Sequence, residues 1–266
     1  MHIASIQMAV VEDDKAATIA KARERIRQCR GADLVILPEL WNIGFMSFDR
    51  YRAEAEDRNG PTLTAMKECA REIGAWIHAG SLVEREGDRF FNSSFLLTPD
   101  GEIAATYRKI HLFPYGSRET ELLTPGDRIA VADTPPGRMG MATCVDLRFP
   151  DLFRRMMERG AEFFLVCSAW PEPRLEPWVL FNRVRALENQ CVLVSANSAG
   201  MNRGIRFAGH SMIVDPAGSI LAGGGEGERI VRAEISRAEI MKARADFPAL
   251  AARVDWAGTG RPIWMD

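Results

Sequence analysis

No stretch of this 266-residue chain approaches the ~18–20 uninterrupted apolar residues that a membrane-spanning helix needs, so a membrane protein of that kind is excluded. An excess of one charge is also missing. Lysine and arginine number 34 against 36 aspartates and glutamates, and the formal net charge of −2 gives no electrostatic reason to expect nucleic acid or an anionic membrane as partner. Close cysteine pairs are lacking too. Cys29, Cys69, Cys144, Cys167 and Cys191 leave one thiol over in any disulfide scheme, which points to a reducing, cytoplasmic setting. No pair of histidines or cysteines has metal-ligand spacing, so neither zinc nor another cofactor is expected. The start, Met-His-Ile-Ala-Ser-Ile-Gln, is neither basic nor followed by a long apolar segment, and no signal peptide is expected there. Nor does any Pro/Gly/Ser-rich linker or repeat interrupt the chain. Gly223-Gly-Gly225 lacks the lysine and the strand–loop–helix setting of a phosphate-binding loop and reads as a flexible turn.

What is present is a core-forming composition, 47% apolar and 26% charged, in which apolar strands alternate with helical patterns. Strands are expected at Ile3–Val10, Leu34–Leu37, Trp76–Val83, Phe90–Leu97 and Glu102–Tyr107, with helices over Lys15–Arg30 and Thr62–Ile73. The charged turn Glu84–Arg89 and the turn Thr98-Pro-Asp-Gly101 make the middle of this half a hairpin series. Two strand–helix units follow, Met139–Thr143 with Leu152–Arg159 and Phe163–Cys167 with Trp178–Asn189. Val192–Ala196, Ser211–Val214 and Ile230–Ile235 close the sheet region, and Ser236–Arg244 is the last helix. The simplest organisation is one α/β domain over residues 1–266, mixed sheets flanked by helices, with an irregular tail at 246–266.

Three chemistry-bearing residues stand where such strands stop. Glu39 ends the run Asp33-Leu-Val-Ile-Leu-Pro-Glu39; a carboxylate delivered there is partly desolvated, which suits proton exchange near neutrality. The plain alternative is an exposed loop glutamate. Lys109 follows a strand in Tyr107-Arg-Lys-Ile-His-Leu-Phe113, and an ammonium there is expected to lower a nearby thiol's pKa and to donate to a developing oxyanion. A solvated edge lysine is the competing reading. Cys144 closes the apolar run Met139–Thr143 and is followed by a turn and by Pro150, which opens an amphipathic pattern through Leu152, Phe153, Met156 and Met157. That position differs from Cys69, Cys167 and Cys191, which sit in apolar or helical runs and read as inert small hydrophobes. A helix N-terminus beyond Cys144 favours its thiolate. Spacing alone does not prove that the three strand ends converge, but open α/β sheets gather their sites at carboxyl ends.

Leu37-Pro-Glu39, Tyr107-Arg-Lys-Ile-His-Leu-Phe113 and Cys144-Val-Asp-Leu-Arg-Phe-Pro150, in that order, resemble the carbon–nitrogen hydrolase (nitrilase) superfamily, whose signature is a Glu-Lys-Cys triad. The similarity runs on through Arg185-Ala-Leu-Glu-Asn-Gln190, Ser195-Ala-Asn197 and Gly209-His-Ser-Met-Ile-Val-Asp-Pro216, so it covers nearly the whole chain. The resemblance implies a four-layer α-β-β-α sandwich that pairs into a homodimer or larger assembly, and it carries the triad onto Glu39, Lys109 and Cys144. It also implies a second glutamate, which its distance from Pro125-Gly126 assigns to Glu119, with Glu121 the lesser substitute. The implied chemistry starts with Glu39 taking the thiol proton and Cys144 attacking an amide carbonyl. Val145 N–H and Lys109 then hold the oxyanion, ammonia leaves, and water hydrolyses the thioester.

Asp146-Leu-Arg-Phe-Pro150 and Ser168-Ala-Trp-Pro171 are similar to the branch that hydrolyses omega-amides of dicarboxylic acids, together with deaminated-glutathione amidases. Val145 departs from that pattern, which has an aromatic there, and leaves the substrate open. Arg148 has two readings: it pairs with Asp146 or another carboxylate to hold the turn, or it grips a substrate carboxylate bidentately. Trp170 either walls the pocket or belongs to the core. Arg185, Glu188 and Asn189 read as braces, and His210 as a satisfied strand histidine. The expected function is hydrolysis of a small carboxylated amide such as 2-oxoglutaramate. Hydrolysis of a carbamoyl group or a nitrile by the same triad is the alternative, and a catalytically silent scaffold is the reading from another class.

Overall fold

Side-chain alternation along the first strands sets the layering. The computed structural model describes residues 1–254. In β1 (His2–Gln7) and β2 (Leu34–Ile36), Ile3, Leu34 and Ile36 turn to one core, whereas Ala4, Ile6 and Val35 turn to another. The second core is closed by α1 (Lys15–Arg27) and α2 (Pro61–Ile73) through Ala22, Ile26, Leu63 and Met66. Asp14 caps α1 by accepting the Ala17 N–H at 2.8 Å. Pro61 opens α2, and Gly74, at φ 67°, ends it.

Two more strands of the first sheet form the expected hairpin, β3 (Trp76–Glu86) and β4 (Arg89–Leu97), and β5 (Ile103–Arg108) lies beside β4. The chain then makes one helical turn, α3 (Glu119–Leu122), and enters the second sheet through β6 (Ala130–Ala132) and β7 (Met139–Thr143). There α4 (Pro150–Glu158), β8 (Phe163–Ser168), α5 (Leu175–Asn189) and β9 (Val192–Asn197) follow in turn. A small hairpin, β10 (Met201–Asn202) with β11 (Ile205–Arg206), precedes β12 (Met212–Val214) and β13 (Ile220–Gly223). The chain returns to the first sheet as β14 (Arg229–Glu234) before α6 (Arg237–Asp246).

The two six-stranded sheets run β14-β1-β2-β3-β4-β5 and β13-β12-β9-β8-β7-β6. They face each other; Ser5 Oγ, for example, donates to the Ser195 carbonyl across the gap at 2.7 Å. With α1 and α2 outside one sheet and α4 and α5 outside the other, the architecture is the expected α-β-β-α sandwich. Four strands escaped the sequence reading, β6, β13 and the two of the β10–β11 hairpin, because each is too short to show a period of two. The Gly223–Gly225 run is no loose turn: Gly224 N–H donates to Ser211, and Gly225 C=O accepts from His210 and Gln7. His210 lies in the loop before β12 at φ 48° rather than in a strand. The expected tail is irregular from 247 to 254, and its remainder at 255–266 lies outside the described residues. Among the described residues no helix is long and apolar enough to cross a membrane.

Candidate active site

Glu39 stands where the carboxyl ends of both sheets meet. Pro38 stops β2, and the Glu39 N–H donates to the carbonyl of Ser168 at the end of β8 (3.3 Å). Its Oε2 accepts the Ala169 N–H at 2.9 Å. On its other side the Pro38–Glu39 loop is passed closely by β3, where Gly80, at φ 64°, has no room for a Cβ against the Pro38 carbonyl. Lys109 is fixed in the same manner one strand end away. Its N–H donates to Asn92 C=O at 2.9 Å and its own C=O accepts from Gly126 at 2.8 Å. At Gly126 a Cβ would overlap the Arg108 carbonyl.

The Lys109 ammonium is wholly enclosed. Nζ donates to Glu39 Oε1 at 2.8 Å and to Glu119 Oε1 and Oε2 at 3.0 and 2.9 Å. The Phe45 ring lies 5.4 Å away. Glu119 is carried by α3 and held by the Phe113 N–H at 2.7 Å. Glu121, on the same helical turn, faces away and pairs with Arg118 at 2.9 Å, so Glu119 is the glutamate that the fold brings in.

Cys144 begins a 3-10 turn over Cys144–Arg148 at φ 52°, a left-handed conformation unusual for a residue with a Cβ. The turn is anchored by Asp146. Its carboxylate accepts from Tyr107 Oη (2.7 Å), the Thr143 N–H (2.9 Å) and the His111 N–H (3.3 Å), and lies 2.7 Å from His111 Nδ1. The Tyr-Arg-Lys-Ile-His segment thus delivers Lys109 from its middle while its two flanking side chains grip the cysteine turn. Arg185 braces the same turn, with Nε donating to Leu147 C=O at 2.9 Å. Within a 3-10 turn the first two N–H groups, here those of Cys144 and Val145, have no carbonyl three residues back in the turn to bond.

The electrostatics correct one expectation. The Cys144 thiol lies well above the usual thiol range, pushed up by burial first and by the Glu39 carboxylate second. Lys109 acts in the expected downward direction but is outweighed, because it already faces two carboxylates. Nor does a helix N-terminus act directly, since α4 starts only at Pro150, beyond the 3-10 turn. The resting thiol is neutral, with Glu39 and Ser168 as its polar neighbours. Lys109 is opposed by burial, yet Glu119 and Glu39 hold it well above the lysine range. Burial raises Glu119, against the pull of Lys109.

Cys144 and Val145 open onto a cleft of about 390 Å³ walled by Phe45, Phe113, Trp170 and Phe207. Trp170 is both wall and core: it lines the cleft, packs in the inter-sheet cluster, and donates Nε1–H to Arg174 C=O at 2.6 Å. The pairing of Arg148 with Asp146 does not form, because Asp146 is filled by Tyr107, Thr143 and His111. The Arg148 guanidinium stands over Phe181 (5.2 Å) and Trp170 (5.6 Å) at the cleft, and no carboxylate among the described residues bridges it. Arg174 lines the cleft in the same unbridged state, with its guanidinium 5.0 Å from the Phe113 ring centre. Asn92 and Ser168 belong to the site and were missed. Their signal was a polar step inside an apolar strand, Phe-Phe-Asn-Ser-Ser-Phe for one and Leu-Val-Cys-Ser for the other.

Two facing mixed sheets under helical layers, with a thiol, two carboxylates and an ammonium at their shared edge, define a class of cysteine-bearing hydrolases of carbon–nitrogen bonds. The chain belongs to the carbon–nitrogen hydrolase family, whose model matches residues 2–245. It is 35% identical over 255 residues to a 2-oxoglutaramate amidase of Paenarthrobacter nicotinovorans, covering 92% of this chain and 87% of that one. A deaminated glutathione amidase of Yersinia enterocolitica is 35% identical over 263 residues, with 94% and 91% covered. Among solved structures, a CN-hydrolase superfamily protein from Xanthomonas campestris, with an arsenic adduct in its active site, superposes with a TM-score of 0.90 at 30% identity, covering 96% of this chain and 98% of that one.

Proposed function

We propose that the protein is an amidase that releases ammonia from a small carboxylated amide, an omega-amide such as 2-oxoglutaramate, with Cys144 as nucleophile. The observation that carries this reading is the placement of one buried carboxylate, Glu39, 2.8 Å from the Lys109 ammonium and beside a neutral thiol at the cleft. Glu39 takes the thiol proton as Sγ bonds to the amide carbon. The resulting oxyanion is held by the Val145 N–H and the Lys109 ammonium. Glu39 returns the proton to the amide nitrogen, the C–N bond breaks and ammonia leaves a thioester. Water, deprotonated by Glu39, then cleaves the thioester and restores the thiol. Glu119 keeps Lys109 charged and aimed. Arg148 and Arg174, unbridged at the cleft, suit the substrate's carboxylate, and the names of the Paenarthrobacter and Yersinia relatives support an amide of this kind.

The five cysteines are free and buried, which suits a reducing cytoplasm. Two copies pair through the outer face of α5, where Leu180 and Leu187 lie exposed.

An ammonia-release screen across omega-amides, carbamoyl amino acids and nitriles tests the reaction. Omega-amides are the expected substrates, Cys144→Ala abolishes release, and Glu119→Gln leaves residual turnover. Turnover of nitriles alone, or carbon dioxide released with ammonia from carbamoyl compounds, overturns the reading.

A further inference from the structure

We propose that Asn92 is a positioning residue that holds the two carboxylates and the lysine of this site in one arrangement. Its Nδ2 donates to Glu39 Oε1 at 2.8 Å and to Glu119 Oε1 at 2.9 Å, and its backbone carbonyl accepts the Lys109 N–H at 2.9 Å. One residue of β4 therefore bonds both carboxylates and the backbone of the lysine they face. Asn92 Oδ1 is buried with no hydrogen-bond partner among the described residues. A buried acceptor left unsatisfied in this way needs an explanation, and the two carboxylates supply one. Rotating the amide by half a turn would aim Oδ1 at both of them, so the donors are locked inward.

Two negative carboxylates facing one ammonium repel each other, and a neutral double donor between them offsets that repulsion. Asn92 opposes the upward push of burial on Glu119. The other titratable groups packed around the pair are Cys144, Cys167 and Tyr51. Burial pushes Cys167 up to about 12. Burial first, then Glu119 and Glu39, push Tyr51 well above the phenol range while its hydroxyl donates to Phe45 C=O at 2.6 Å. All three stay neutral in the working range, so the charge balance is left to Glu39, Glu119 and Lys109.

The inference rests on Glu39 serving as the base for Cys144. Its test is a graded series, Asn92→Ser and Asn92→Ala, read in two assays. In turnover, kcat falls by at least about tenfold in Asn92→Ala, a fraction of what a general base contributes, with KM little changed and the serine variant, which keeps one donor, in between. The acid limb of the profile moves up by about one pH unit, because a carboxylate stripped of a donor holds its proton to higher pH. The second assay, the pH profile of iodoacetamide alkylation at Cys144, needs no substrate and moves in the same direction. Variants that lose thermal stability but keep the native pH profile overturn the assignment of Asn92. Native protein that shows no pH-dependent alkylation at Cys144 overturns instead the role of Glu39 and Cys144.

Discussion

Cys144 brings a backbone conformation to the site as well as a thiol. At φ 52° it sits where an L-residue is strained, and Leu40, next to Glu39, has φ 43°. Strain of this kind costs of order 1–3 kcal/mol and persists only where surrounding contacts over-determine it. The Asp146 hub and Arg185 supply those contacts by locking the turn beyond the cysteine. Two inactive variants isolate the strain from the chemistry. Cys144→Gly should unfold at a higher temperature than Cys144→Ala, by about 2–4 °C for roughly 1 kcal/mol in a chain of this size. Equal melting temperatures in a calorimeter would show that the left-handed turn stores nothing. The neutral thiol also bears on mechanism: proton transfer must accompany attack, which places the burden on Glu39 rather than on a standing thiolate.

At the scale of elements, β3 does two separate jobs. Gly80, inside the strand, admits the Pro38–Glu39 loop, while His78 is buried two residues earlier with neither ring nitrogen partnered among the described residues. Burial lowers its pKa from 6.5 to about 3. The folded state therefore keeps His78 neutral while the unfolded chain protonates, so stability is full above pH 6.5 and lost as pH falls from there towards 3. The loss is about 1.4 kcal/mol per pH unit, on the order of 2 kcal/mol at pH 5. In His78→Phe, urea unfolding free energies at pH 7 and pH 5 should differ by that much less than in the native protein. The same pH dependence in both proteins would mean that other groups govern acid unfolding.

At the scale of the whole molecule, the outer face of α5 exposes two leucines among the described residues. Leu180 is 59% and Leu187 52% exposed on α5, seven residues apart and so on one side of the helix. The turn before β13, a strand that exposes Ile220 and Leu221, is tied to α5 by Arg183 donating to Gly218 C=O at 2.8 Å. A patch of this kind on an otherwise charged surface marks an interaction site, and stacking two copies across it would bury α5 against α5. Leu187→Glu should convert a dimer to monomer in light scattering at micromolar concentration with the monomer fold intact. A native protein that is already monomeric at that concentration ends the idea.

The sequence by itself determined the longer strands and helices, though not the short β6, β10, β11 and β13, and it singled out Glu39, Lys109 and Cys144. Each lies at an abrupt end of an apolar run, and both period and interruption are local properties of the chain. Glu119 was reached only through family resemblance, since nothing local separates it from Glu121. The tertiary structure decided the rest, because the remaining contacts join residues far apart in the chain. Asn92 lies 53 positions from Glu39 and 27 from Glu119, and no periodicity announces that pairing. Arg148 was lost to Asp146 because Tyr107 and His111 reach that carboxylate from another sheet. The charge state of the thiol was likewise beyond local reading. It depends on how much burial and how many carboxylates surround one ammonium, and only the meeting of two sheets fixes both.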